Sequence, residues 1–255
     1  MARALGRELT ARGWRIVPID SRAPVGGIRT LLIAAADDAL AKVAETLAGV
    51  YPSGDGVALH TSGAHGAEIL APLAAKGFDC GALHPLQTIS DGNADVFKGV
   101  AFAISGGEKA VAFAEQIVAA LDGTALHICP EHRATYHAAA VMASNYITSL
   151  IHAAGQLLQL AGVTGVESSR ALAPLIRQSV ENSLQQEPAK ALTGPIRRGD
   201  AGTVAVHLAA LNSAPEPLQK IYRACGMYTL DVAREGGLAA ELASRIEKLL
   251  QCKSR

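Results

Sequence analysis

The sequence lacks a dominant charge. Its 23 basic residues equal its 23 acidic residues, and its isoelectric point is near 7.1. A balanced chain has no net attraction for the phosphates of nucleic acid or for an acidic membrane surface. We therefore expect neither as a partner, and the expected partner is a small-molecule substrate.

Cysteine is sparse, and the residues lie far apart in the chain: Cys80, Cys129, Cys225 and Cys252. They form no CxxC motif and no Cys/His cluster with zinc spacing, so no metal site is predicted. Isolated thiols are typical of a reduced, cytoplasmic protein. The sequence also has no apolar run near the ~20 residues that span a bilayer.

Aromatic residues are also few: they make up 4% of a chain that is 49% hydrophobic. The core must therefore be built from Ala, Leu, Val and Ile, which suits closely packed helices and buried parallel strands. At 255 residues, the length fits one large or two small domains, since domains usually hold ~100–200 residues.

The first half of the chain alternates short apolar runs with helical patterns. This alternation predicts an α/β domain with a doubly wound parallel sheet. A helix is predicted from the N-terminus to Gly13, and Asp37 and Asp38 are predicted to cap a later one. The predicted strands are Trp14–Ile19, Thr30–Ala36, Gly56–His60, Phe78–His84, Val100–Ser105 and Ala125–Cys129.

After Pro130 the pattern contains helices only. A long helix ending at Gly162 is predicted to join the two halves, which places the domain boundary between residues 129 and 130. The expected domains are therefore 1–129 and 130–255. The later predicted helices are Ser168–Leu184, interrupted near Pro174, then Ala201–Leu211, Pro217–Glu235 and Leu238–Gln251.

The end of the first predicted strand carries a polar group suited to a nucleotide. Open parallel sheets bind ligands at the carboxyl ends of their strands. Ser21 and Arg22 stand there, and an arginine binds a 2′-phosphate through paired, charge-assisted hydrogen bonds. This favours NADP over NAD, although Asp20 beside them leaves the choice open. A polar turn with a surface arginine is the alternative.

Two histidines, His60 and His84, also stand where strands are predicted to end. Histidine exchanges protons near neutral pH, so the pair suits acid–base chemistry. Thr61 and Ser62 add hydroxyl groups, and Gly63 lets a ligand approach the backbone. Each histidine could instead be structural, bonded to a nearby carbonyl.

Two further segments carry polar groups. In "YHAAAVMASNY", His137, Ser144 and Asn145 are predicted to share one helical face, either for helix–helix hydrogen bonds or for substrate in an interdomain cleft. In "ALTGPIRRGD", Asp200 is predicted to cap the next helix. That loop either closes over a substrate carboxylate, through Thr193, Gly194 and Arg198, or simply connects two helices.

Taken together, "AAADDAL", "LHTSGAHGAEIL", "LHPLQT", "FKGVAFAISG", "YHAAAVMASNY" and "LTGPIRRGD" occur in this order along nearly the whole chain. In these segments the chain resembles NADP-dependent oxidoreductases with an N-terminal Rossmann-like domain and a C-terminal helical domain of unknown function. That family is related to the 6-phosphogluconate dehydrogenase-like group.

The resemblance implies a dinucleotide-binding domain over 1–129, a dimerising helical domain over 130–255, and hydride transfer to or from a small carbonyl, imine or hydroxy compound. It implies catalytic roles for three residues: His137, His84 and Asn145. For the cofactor it implies Ser21, Arg22, Ala35, Ala36 and the segment His60, Thr61, Ser62, Gly63. For the substrate it implies Ser144, Thr193, Gly194, Arg198 and Asp200. The expected assembly is a homodimer.

One expected element does not occur in the sequence. Members of such families begin with a strand and a G-x-G-x-x-G turn, which holds the cofactor pyrophosphate at a helix N-terminus. Here Met1 already stands in the helix, and Gly26 and Gly27 follow a different strand. We expect either that an N-terminal segment is missing from this sequence, or that the chain is a non-catalytic, metabolite-sensing or scaffold module. A metal hydrolase using His60, His84 and His137 is a third alternative.

Overall fold

The computed structural model describes residues 1–19, 28–51, 55–89, 95–163 and 167–251. They divide into two compact units, Met1–Asn145 and Tyr146–Arg255. This division falls later than the predicted boundary at 129/130. The reason is that the helix after Pro130 begins against the sheet of the first unit, where Arg133 and Tyr136 form hydrogen bonds.

The first unit contains a five-stranded sheet in the order β1 to β5. The strands are β1 Thr30–Ile33, β2 Val57–His60, β3 Asp79–Pro85, β4 Ala101–Gly106 and β5 Thr124–His127. The first three are mutually parallel, β4 runs antiparallel to β3, and β5 is parallel to β4. The α/β prediction is confirmed, but the sheet is mostly rather than wholly parallel.

Helices cover both faces of this sheet. They are α1 Ala2–Ala11, α2 Asp37–Val50, α3 Ala71–Ala74, α4 Glu108–Ala120 and α5 Arg133–Val141. Side chains alternate between faces along β2, so Leu59 packs with α1 and α4 whereas Ala58 packs with α2. Burial of these two apolar faces holds the strand ends in fixed positions.

Two local predictions in this unit are wrong. Residues 14–19 form no strand, and Ile16 and Val17 are exposed. A strand needs a neighbour for its backbone groups, and in the described part of the chain these residues pair with none. At α2, the N-cap is Ala36, which makes no side-chain bond, and Asp37 and Asp38 lie in the first turn instead. There their charges favour the positive end of the helix dipole.

The second unit is helical, as predicted. It contains α6 Ile147–Leu160, α7 Glu167–Gln185, α8 Pro188–Ala191, α9 Ala201–Leu211, α10 Glu216–Glu235 and α11 Ala240–Gln251. Its main core joins α9, α10 and α11 through Val204, Leu230 and Ile246. The helix α7 continues through Pro174 instead of breaking there. None of the described helices has the length and apolar character required to cross a bilayer.

Candidate active site at the carboxyl edge of the sheet

The register of the sheet aligns the groups that form the candidate site. His60 at the end of β2 pairs with Ala82 of β3, and Ala82 pairs with Ser105 of β4. The strand β3 continues past this row to His84 and Pro85. His84 therefore extends beyond the end of β2, next to the loop that follows His60.

Arg133, the first residue of α5, connects two of these strand ends. Its side chain is 3% exposed, and its guanidinium donates to the Ser62 carbonyl oxygen and to Ser105 Oγ, both at 2.9 Å. Its Nε has no partner within the described part of the chain. Burial lowers the pKa of Arg133, and the charge of Glu68 partly offsets this effect. The residue thus fixes the start of α5 against the sheet.

One turn further along α5, Tyr136 contacts His84. The tyrosine oxygen lies 2.6 Å from Nδ1 of His84, and the rings meet edge to face. Burial raises the pKa of Tyr136 to about 12, an effect partly offset by Arg133. Burial, assisted by the charges of His137 and Arg133, lowers the pKa of His84 to about 4. At neutral pH both groups are therefore uncharged, and the imidazole tautomer decides which of the two donates in this hydrogen bond.

His137 completes the cluster around Gly63. The His84 and His137 rings have centroids 6.2 Å apart. A Cβ built on Gly63 would lie 2.6 Å from Nδ1 of His137 and 2.8 Å from Nε2 of His84. His137 Nδ1 is buried and has no partner among the described residues. Both imidazoles thus occupy the space that any side chain at position 63 would take.

His60 occupies a different position from His84. It is fully buried; its Nε2 lies 2.9 Å from the Gly66 carbonyl oxygen, and its Nδ1 accepts from the Ser62 N–H. Burial lowers its pKa to about 4, so the ring is neutral. Because both nitrogens are bonded within the loop, His60 holds the loop in place and has neither nitrogen free for a ligand.

The remaining cofactor positions are partly described. Thr61 donates its N–H to the Ile33 carbonyl, and Ser62 Oγ accepts from the N–H groups of Ala64 and His65. Ala35 is half-buried and Ala36 exposed at the end of β1. Ser21 and Arg22 lie outside the described residues.

The predicted face of His137, Ser144 and Asn145 is interrupted by a π-helical turn. Ser144 and Asn145 lie within that turn, Met142–Tyr146, where Ser144 is half-buried and Asn145 exposed. A π turn bonds residues five apart, so α-helical spacing does not carry through it. His137 shares its side of α5 with Arg133 instead, at a spacing of four.

The loop predicted to bind substrate belongs to the second unit. Asp200 caps α9 as predicted, since its carboxylate accepts from the Thr203 N–H at 2.9 Å. This bond, with that of the Thr203 hydroxyl, lowers the pKa of Asp200. Thr193, Gly194 and Arg198 line a shallow surface together with Lys190 and Arg197. The cationic side chains suit an anion, so both sequence interpretations of this loop, substrate binding and simple connection, stay open.

Sequence reasoning missed Tyr136 and Arg133. The signal was available in the segment "RATYH", which places Arg133, Tyr136 and His137 on one side of a helix at spacings of three and four. The predicted face instead follows the helix forward from His137 into the π turn. The side chains of α5 that contact the strand ends lie in its first turns.

The site fits one end of a dinucleotide. Ala35 and Ala36, two small side chains that follow β1, leave that strand end open to a planar nicotinamide ring, whereas Gly63 is buried against His84 and His137. The described residues contribute no glycine-rich loop for the pyrophosphate. Among these residues, no three His, Cys, Asp or Glu side chains are placed to hold a metal ion.

Comparison with known proteins supports the fold. The family described as "Domain of unknown function (DUF2520)" matches residues 100–229, and a Rossmann-like domain family matches residues 13–85. A search of curated proteins found no match.

Several solved structures share the architecture. A Thermotoga maritima protein aligns with a TM-score of 0.69 at 22% identity, covering 81% of this chain and 80% of its own. A candidate NADP oxidoreductase from Bacteroides fragilis aligns with a TM-score of 0.68 at 22% identity, covering 97% of this chain and 94% of its own. A Plasmodium falciparum pyrroline carboxylate reductase with NADP bound aligns with a TM-score of 0.53 at 10% identity, covering 88% of this chain and 78% of its own. At these identities the likeness is one of fold.

Proposed function

The chain belongs to the family described as a domain of unknown function (DUF2520), and we propose that it is an NADP-dependent oxidoreductase acting on a small carbonyl, imine or hydroxy compound. The observation that carries the proposal is the convergence of His84 and His137 on the backbone of Gly63, with Tyr136 bonded to His84, at the carboxyl ends of β2 and β3. Ligands of open α/β sheets bind at this edge. The NADP-bound reductase of similar fold supports the choice of cofactor.

Under this proposal His84 is the proton donor. Reduction of a carbonyl or imine places a hydride on carbon and a proton on oxygen or nitrogen. The Nε2–H of His84 gives up that proton while Tyr136 passes its own hydroxyl proton to Nδ1. The developing phenolate charge lies near the buried guanidinium of Arg133, which favours it. Oxidation of a hydroxy compound runs the same relay in reverse.

The other predicted residues keep supporting roles in the proposal. When bound, the nicotinamide cofactor supplies the hydride. Ala35, Ala36 and the Thr61–Gly63 backbone form the surface for its ring, and Ser21 and Arg22 bind its 2′-phosphate. His137, with its free Nδ1, binds the substrate heteroatom. Ser144, Asn145 and the Thr193–Asp200 loop are proposed to orient the substrate.

The test combines cofactor binding with turnover. NADPH fluorescence should change on titration with the chain, and the change should be weaker for NADH. A panel of small ketones, cyclic imines and hydroxy acids is then screened through NADPH absorbance. His84→Ala should remove turnover but retain NADPH binding, whereas His152→Ala, at an exposed histidine of the second unit, should keep both. Absence of NADPH binding would overturn the proposal and favour a non-catalytic module.

We also propose that the chain forms a homodimer through its helical unit. Large apolar side chains are strongly exposed there, including Leu184 at 78%, Tyr228 at 70% and Leu175 at 65%. Exposed apolar surface on a soluble protein is a candidate for protein–protein contact. Sedimentation velocity should give twice the 26.3 kDa chain mass, and Leu184→Glu should shift the chain towards monomer.

A further inference from the structure

The helical unit contains a cavity of about 390 Å³, lined in part by Thr193, Pro195 and Ile196 of the loop that is proposed to orient the substrate. Its walls come from α6, α9, α10 and the segment before α9. Apolar side chains form most of its surface, among them Leu150, Leu157, Ile196, Leu218 and Ile221. The volume lies within the range of ~300–1,000 Å³ that small-molecule sites occupy.

The lining of this cavity contains no Lys, Arg, Asp or Glu among the described residues. A charged ligand would lose its hydration there without an opposite charge to compensate. A neighbouring surface lined by Lys190, Arg197 and Arg198 shares Thr193 with the cavity and provides the cations that an anion needs. The cavity itself therefore selects an uncharged molecule.

One wall carries a hydrogen-bonding pair. His207 Nδ1 lies 2.8 Å from the Tyr222 hydroxyl oxygen, and the rings meet edge to face. Burial raises the pKa of Tyr222, so its oxygen stays protonated. Whichever partner donates, the tyrosine oxygen retains a further donor or acceptor position. Thr193 and Thr229 bring two more hydroxyl groups to the lining.

We propose that this cavity binds a small, uncharged, mainly apolar molecule that carries one hydroxyl or carbonyl group, with the polar group bonded to the Tyr222–His207 pair. The site lies entirely within the second unit, and it shares Thr193, Pro195 and Ile196 with the loop that is proposed to orient the substrate. Its test requires neither cofactor binding nor turnover. Its chemistry differs from that of the cationic surface beside it, which suits an anion.

The first experiment measures binding of an uncharged apolar dye, N-phenyl-1-naphthylamine, to the whole chain. Its fluorescence should rise on saturable binding of one molecule per chain. Ala154 lines the cavity and is half-buried, so Ala154→Leu should weaken binding at least about tenfold by filling the space. The matched control is Ala209→Leu at an exposed position outside the lining, which should leave binding unchanged.

A chemical readout comes from the thiols. Cys225 and Cys129 are both exposed, and Cys225 lines the cavity whereas Cys129 lies in the first unit. Dye at about ten times its dissociation constant should slow alkylation of Cys225 by iodoacetamide about tenfold, by mass action. Alkylation of Cys129, followed in the same digest by mass spectrometry, should not change.

Two results would overturn the proposal. One is dye binding that Ala154→Leu and Ala209→Leu affect equally. The other is no dye binding together with protection of Cys225 that grows with protein concentration, which would show that a second copy of the chain covers the cavity. Neither result bears on NADPH binding or turnover, so the two proposals fail separately.

Discussion

The hydroxyl oxygen of Tyr136 lies 2.6 Å from Nδ1 of His84, across 52 residues of sequence. The contact joins the first turns of α5 to the end of β3. Burial keeps the tyrosine protonated and the histidine neutral, so the direction of this bond and the tautomer of His84 are linked. In the proposed function the tyrosine donates, which places the imidazole proton on Nε2.

Tyr136→Phe is expected to lower kcat by about 10- to 100-fold, less than the ~10²–10⁴ typical of a direct acid–base group. The ring of His84 loses the donor that defines its tautomer, so its nitrogen NMR shifts should move towards a mixture of both forms. Tyr146→Phe, at an exposed tyrosine, is the control. An unchanged tautomer in Tyr136→Phe would contradict the role assigned to the hydroxyl.

Acid should destabilise the first unit through its buried histidines. The pKa values of His60 and His84 are lowered to about 4, below the ~6.5 of an unfolded histidine. Their contribution to stability is therefore complete above pH ~6.5, and it is lost as the pH falls towards 4, because the unfolded chain binds protons that the folded chain does not. Each histidine adds at most about 1.4 kcal/mol per pH unit to the slope.

Urea unfolding followed through Trp14, the single tryptophan, measures this slope, since Trp14 packs against Phe113 of α4. His60→Gln should reduce the slope between pH 6.5 and 4 by about one histidine's share. His152→Gln, at an exposed position, should leave it unchanged. A slope that is unchanged in His60→Gln would show that this ring is not buried in its neutral form.

Gly63→Ala should abolish most activity while the fold persists. The added methyl group would lie within 2.8 Å of both imidazoles, which must then move apart. A displacement near 1 Å in a catalytic group costs ~10²-fold in rate. Gly49→Ala in α2 has open space around its Cβ and should gain about 0.5–1 kcal/mol of stability with activity unchanged. Full activity in Gly63→Ala would place the chemistry elsewhere.

Arg133→Met should destabilise the first unit by about 2 kcal/mol, because the Ser62 carbonyl and the Ser105 hydroxyl lose their buried donor. It should also raise the pKa of His84, since the guanidinium charge is one of the causes that lower it. Trp14 unfolding and histidine NMR measure the two effects. Arg3→Met, at an exposed residue of α1, should change neither.

The sequence alone could predict the first half, in which strands and helices alternate, and the helical second half. It could also predict that His60 and His84 lie at strand ends, because apolar periodicity and strand ends are local signals. The reversed direction of β4 left no such signal, since a buried strand has the same composition in either direction. The strand predicted at residues 14–19 is wrong for a related reason. The apolar pattern of these residues suits a strand, but a strand also needs a neighbour to pair with, which lies elsewhere in the chain.

The candidate site could likewise be predicted only in part. Histidines at strand ends could be found from spacing, whereas the different roles of His60 and His84 depend on which nitrogens the folded loop occupies. His60 has both nitrogens bonded within residues 60–66, and His84 receives its partner from α5. The helical spacing places Arg133 on the side of Tyr136 and His137, but its burial has no local signal, because an arginine at a helix start is usually exposed.

The hydrogen bonds of Arg133 also constrain the order of folding. They join residues that lie 71 and 28 positions away, one beyond β2 and one on β4. Closing such long loops is slow, since their entropy is lost before the contact is gained. In a refolding experiment, recovery of turnover should therefore lag behind recovery of helical circular dichroism. The return of activity would then report when the sheet is complete.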